Sequence, residues 1–63
     1  MQVELDGKII NFESSMTVKE ILKKLNLNPE VYLVVLDNNE LATSDRMIGK
    51  DQKIKIIRVV SGG

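Results

Sequence analysis

The residues best placed to do chemistry stand at the end of the chain, Ser61-Gly62-Gly63. Two adjacent terminal glycines arise by chance in roughly 1 in 200 chains at ordinary glycine usage. Glycine has no Cβ, so Gly62-Gly63 can thread a narrow slot and adopt dihedrals closed to other residues. It also leaves the α-carboxylate of Gly63 unhindered. That group, with an ordinary pKa of about 3.5, is ionised at neutral pH. Its oxygen can attack a phosphorus centre, but the carboxylate itself does not acylate amines or thiols. Activation calls for a partner that supplies ATP and Mg²⁺ and converts the carboxylate to an acyl-adenylate. A frayed end contains the same residues and does nothing. The pair gains weight because it follows directly on a segment expected to be a strand ending at the domain surface.

Elsewhere the chain is poor in reactive groups. It has no Cys and no His, which makes a disulfide or a structural zinc site implausible. No Gly-rich phosphate loop and no nucleophile-elbow serine occur. Glu4 and Asp6 share one face of an expected strand, a pattern that an exposed edge explains better than a carboxylate pair does. An autonomous enzyme is therefore not expected, nor a bound cofactor or metal. Nine basic and nine acidic residues cancel, and the only aromatics are one Tyr and one Phe. Such a chain lacks both the basic footprint and the stacking platforms of a nucleic-acid binder. The charge is locally uneven: Lys50, Lys53, Lys55 and Arg58 face a single acid, Asp51, near the end. This excess could steer a partner toward the tail or simply be a solvated strand face. The longest apolar run, Val31 to Leu36, is too short to span a bilayer. No membrane association is expected, and a soluble cytoplasmic protein is the default.

The elements that must hold the tail follow from periodicity. Gln2 to Asp6 alternates polar and apolar, as a strand with one buried face does. Asp6-Gly7 is a type I′ hairpin signal, and Ile9 to Phe12 reads as the returning strand. Thr17-Val18-Lys19-Glu20 fits a capping box opening a helix. Val18, Ile21, Leu22 and Leu25 form its apolar stripe, while Lys19, Lys23 and Lys24 face water. Asn26 suits its end, and Pro29 forbids continuation. Val31 to Leu36 is apolar throughout, which predicts a strand covered at least partly on both faces. Asp37 to Glu40 is a turn, Leu41 to Ile48 a short strand or 3₁₀ turn, and Gly49 to Gln52 another turn. Lys53 to Val60 is the last strand, with Ile54 and Ile56 on one face and Ile57 and Val59 on the other. The order β-β-α-β-(β)-β predicts an α+β, β-grasp domain over residues 1–60. A mixed four- to five-stranded sheet would carry one helix on one face, its last strand central and parallel to the first. Residues 61–63 form a flexible tail.

On these residues the chain resembles the small β-grasp sulfur carriers of the thiamine-biosynthesis and molybdopterin-synthase small-subunit type. The likeness runs through the Asp6-Gly7 hairpin, Thr17-Val18-Lys19-Glu20-Ile21-Leu22, Asp51, Ile54, Ile56 and Gly62-Gly63. It departs at Asn38-Asn39, where members often have Asn-Gly, and at Gly49-Lys50. The length is similar to the thiamine type and the Ser-Gly-Gly ending to the molybdopterin type, so the pathway stays open. The resemblance implies that an E1-like adenylyltransferase, bringing the ATP and Mg²⁺, adenylates Gly63. A persulfide then gives a thiocarboxylate, which donates sulfur to a synthase or a tRNA-thiolation enzyme. Ile57 and Val59, with Arg58 between them, are the candidate docking residues beside the tail. Two other readings of the same tail remain: a ubiquitin-like modifier joined through Gly63 to substrate lysines, and a non-catalytic interaction module.

Overall fold

A computed structural model describes residues 1–59. The expected tail, Ser61 to Gly63, and Val60 before it lie outside the described residues. Strand β1 (Gln2–Leu5) turns into β2 (Lys8–Asn11). Asp6 and Gly7 both take positive φ, 51° and 77°, as the type I′ turn demands. A two-residue strand β3 (Met16–Thr17) leads into helix α1 (Val18–Lys24). Then come β4 (Tyr32–Leu36), β5 (Leu41–Ala42), β6 (Met47–Ile48) and β7 (Lys53–Arg58).

The main sheet has the order β2-β1-β7-β4-β5. The last strand is central and parallel to β1, with antiparallel neighbours elsewhere. This is the β-grasp arrangement, an α+β fold with one helix laid across one face of a five-stranded mixed sheet. Its core lies between sheet and helix. Val3, Ile21, Val34 and Ile48 are the most deeply buried side chains, and no polar or charged residue is buried among the described residues.

Helix α1 begins and ends by recognisable devices. Thr17 caps it: its hydroxyl accepts from the N–H of Glu20 at 3.2 Å, and the Glu20 carboxylate accepts from the Thr17 N–H at 3.1 Å. The N–H groups of Val18 and Lys19 donate to the carbonyls of Arg46 and Ser44, so the loop before β6 completes the start of the helix. At the other end Asn26 is left-handed, with φ 58°. Its N–H donates to the Lys23 carbonyl and that of Leu27 to the Leu22 carbonyl. These two bonds make a Schellman motif, and the half-buried Leu27 packs against the core.

One expectation requires correction. The segment 41–48 is two short strands, and β6 pairs antiparallel with β3 in a separate two-stranded sheet. Two residues of pairing carry too little pattern to be read from sequence. The run Val31–Leu36 is fully covered on one face and only partly on the other. Val34 and Leu36 are buried, whereas Leu33 is 38% exposed and Val35 half-buried, because one helix can cover one face of a sheet.

Candidate functional site: the open face and the strand leading to the tail

Strand β7 decides the geometry. Ile54 and Ile56 point into the core at 4% and 3% exposure. Alternation places Lys53, Lys55 and Ile57 on the opposite, helix-free face. Val59 continues that side past the strand end, 40% exposed. Its N–H donates to the Val31 carbonyl at 2.6 Å. The backbone is thus held to β4 up to Val59, four residues before Gly63.

Sheet register collects further side chains on this face. One ladder row crosses all five strands: Ile9, Glu4, Lys55, Val35 and Leu41 are successive partners. In the next row Leu33 stands opposite Ile57. Ile9 is 54% and Leu41 63% exposed. The open face therefore has an apolar region of Leu33, Ile57 and Val59 beside the strand end, and a second row that is apolar at its flanks and charged in the middle. At that middle Lys55 Nζ lies 3.5 Å from a Glu4 carboxylate oxygen. Both side chains are largely solvated, so the pair contributes little to stability.

The three residues expected to dock a partner are divided by this geometry. Ile57 and Val59 share the open face. Arg58 alternates to the other side, where its cross-strand partner is Tyr32, and it is exposed. Ile9, Leu33 and Leu41 were not singled out in the sequence. The uninterrupted apolar run of β4 carried the signal for Leu33, since a strand fully covered on one face only has no packing use for both sets of side chains. Ile9 and Leu41 join the face only through the sheet register. Of the local basic excess, Lys55 is matched by Glu4, and Glu4 is thereby explained as an ion-pair partner across the sheet. Asp6 occupies the hairpin turn. Among the described residues no group of three His, Cys, Asp or Glu is arranged to hold a metal ion, and no helix is long and apolar enough to cross a membrane.

A β-grasp sheet covered by a helix on one side, apolar on part of the other, and running from its central strand into Ser-Gly-Gly defines the class of small ubiquitin-like carriers. Residues 2–63 match the ThiS family, and the chain belongs to that family. It is therefore of the small sulfur-carrier type. An uncharacterized protein of Archaeoglobus fulgidus is 36% identical to it over 62 residues, covering 97% of this chain and 90% of the relative.

Proposed function

We propose that the protein carries sulfur as a thiocarboxylate on Gly63. A carboxylate oxygen of Gly63 attacks the α-phosphorus of ATP in the site of an E1-like adenylyltransferase, and pyrophosphate leaves. The acyl-adenylate is then attacked at its carbonyl carbon by a persulfide sulfur on a partner, releasing AMP and forming an acyl disulfide. A second thiol attacks the partner's sulfur in that disulfide, and the thiocarboxylate leaves as the thiol is oxidised. The carrier contributes a substrate end group and a docking surface. The activating partner contributes ATP, Mg²⁺ and the electrostatics of the step. The acceptor belongs to thiamine, molybdopterin or tRNA thiolation chemistry, and the expected place of action is the cytoplasm.

The observation that carries this reading is the family match, which runs through Gly62 and Gly63. The open face supports it. Leu33, Ile57 and Val59 form an exposed apolar region at the end of the strand that leads to the tail, a feature that monomeric domains otherwise keep small. Docking there fixes the backbone up to Val59, so that residues 60–63 need only span the distance to the nucleotide. Domain 1–60 then positions, and Gly63 at the end of the tail 61–63 reacts. ATP–pyrophosphate exchange by the cognate activating enzyme is the test. Exchange should depend on the full chain and vanish when Gly63 is deleted, with the domain still folded by circular dichroism. Undiminished exchange with the shortened chain would overturn the reading.

A further inference from the structure

A second surface lies on the helix layer, away from the open face. A cleft of about 500 Å³ runs along α1 and the segment after it. Its accessible floor is apolar, made of Leu27 and Pro29 over the buried Leu22, and its rim is Lys19, Lys23, Asn26 and Asn28. The spacing of 19, 23 and 26 puts these three on one stripe of the helix and the turn that ends it. The Schellman motif builds the floor, because it folds Leu27 back over the buried Leu22 and leaves Pro29 to form the far wall. The same motif occupies the carbonyls of Leu22 and Lys23, which would otherwise turn negative potential toward the cleft.

The charges around it are one-sided. No carboxylate lines the cleft. Among the described residues the only ion pair is Lys55 with Glu4, so Lys19 and Lys23 have no anionic partner within contact distance. Glu20 is turned to Thr17 through the capping box, and the lysine whose charge it feels is Lys24. Glu30, the nearest acid in sequence beyond Pro29, is not part of the lining; its N–H is taken by the Asn28 side chain. An apolar floor between two uncompensated ammonium groups fits an extended acidic segment that carries one aliphatic side chain.

We propose that this cleft docks such a segment of a partner protein, its carboxylates on Lys19 and Lys23 and a Leu or Ile on Leu27 and Pro29. The helix layer and the open face are on opposite sides of the sheet, so the cleft remains accessible while the open face is occupied. It would let a second protein hold the carrier during or between docking events at the tail. This site does not depend on the chemistry of Gly63.

The test is a titration of the full-length ¹⁵N-labelled protein with the peptide acetyl-Asp-Glu-Leu-Asp-Glu-amide. Saturable shifts should appear at the amides of Lys19, Leu22, Lys23, Asn26 and Leu27. Affinity should fall by at least about five-fold in the K19E/K23E variant, in keeping with rim charges worth a fraction of a kcal/mol each and reversed in sign. It should be unchanged in V59D, which alters only the open face. K19Q/K23Q, neutral and still helix-forming, should weaken binding in the same direction and serves if the charge reversal unfolds the chain. Four results would overturn the proposal: no saturable shift at millimolar peptide, shifts centred on Lys53 to Arg58, equal binding of the Asn/Gln analogue of the peptide, or equal response of the same amides to inorganic phosphate alone.

Discussion

The two faces of β7 make opposite demands on adjacent isoleucines, and truncating each in turn separates fold from docking. Ile56 is 3% exposed at the centre of the core. Ile56→Ala removes three carbons, about 2.4 kcal/mol of transfer free energy at about 0.8 kcal/mol per carbon. The residual cavity raises the cost to between about 2 and 5 kcal/mol. A chain of this length has a total stability of about 3–9 kcal/mol, so I56A should lose a large share of it or unfold. Ile57 is half-buried on a face with no helix over it. Its truncation leaves no closed cavity and should cost about 1 kcal/mol. In docking the order reverses. If Ile57 sits near the centre of the contact with the activating enzyme, its loss weakens the encounter by about 1–2 kcal/mol, a factor of about 5–30. Urea melts read the first quantity. The KM of the carrier in pyrophosphate exchange, measured where both variants are folded, reads the second. I57A as unstable as I56A would mean that the open face is core. Equal KM values for I57A and wild type would remove Ile57 from the interface.

Two smaller predictions concern the helix start. Thr17→Ala removes the hydroxyl that accepts from the Glu20 N–H and should cost about 1 kcal/mol in urea denaturation. Glu20 accepts hydrogen bonds from the Thr17 backbone and then the Thr17 hydroxyl, which hold its carboxyl below its ordinary pKa of about 4.5. The unfolded chain therefore binds the Glu20 proton more readily than the folded one. The stabilisation is complete above the ordinary carboxylate value and is lost as pH falls through the lower, folded value. Urea midpoints measured from neutral to acid pH should fall over that window in the wild type and fall less in E20Q. An identical acid profile for the two proteins would remove the capping box as its source.

Most of the frame was legible because it is written in local chemistry. Asp6-Gly7 needs no tertiary contact to be read as a turn, and both residues take the positive φ it requires. Thr17 and Glu20 announce the helix through bonds they make with each other, and Val18, Ile21 and Leu22 are the residues it buries. The alternation of β7 correctly assigned Ile54 and Ile56 to one face and Ile57 and Val59 to the other. The rest was less legible because it depends on register. Nothing near Ile9 or Leu41 says that they will share a row with Lys55, since the row exists only once β1, β7 and β4 are aligned. Arg58 was grouped with its neighbours by sequence, yet strand alternation turns it to the other side. The β3–β6 pair was missed because its two-residue strands are fixed by the loop that closes over the helix start rather than by their own pattern. The cleft on α1 was visible only in part: the lysines read as a solvated face, and the floor beneath them appears only when Leu27 and Pro29 fold back.

The central claim is that Gly63 carries sulfur, and intact mass measures it most directly. The protein would be incubated with ATP, Mg²⁺, a persulfide-charged sulfur donor, a reducing thiol and the cognate activating enzyme, then weighed and fragmented. The account predicts a species heavier by the difference between a sulfur and an oxygen atom, with the change confined to Gly63 and dependent on ATP. A folded protein whose mass stays unchanged with an enzyme that demonstrably adenylates it, or that instead becomes linked to lysines of other proteins, would contradict it.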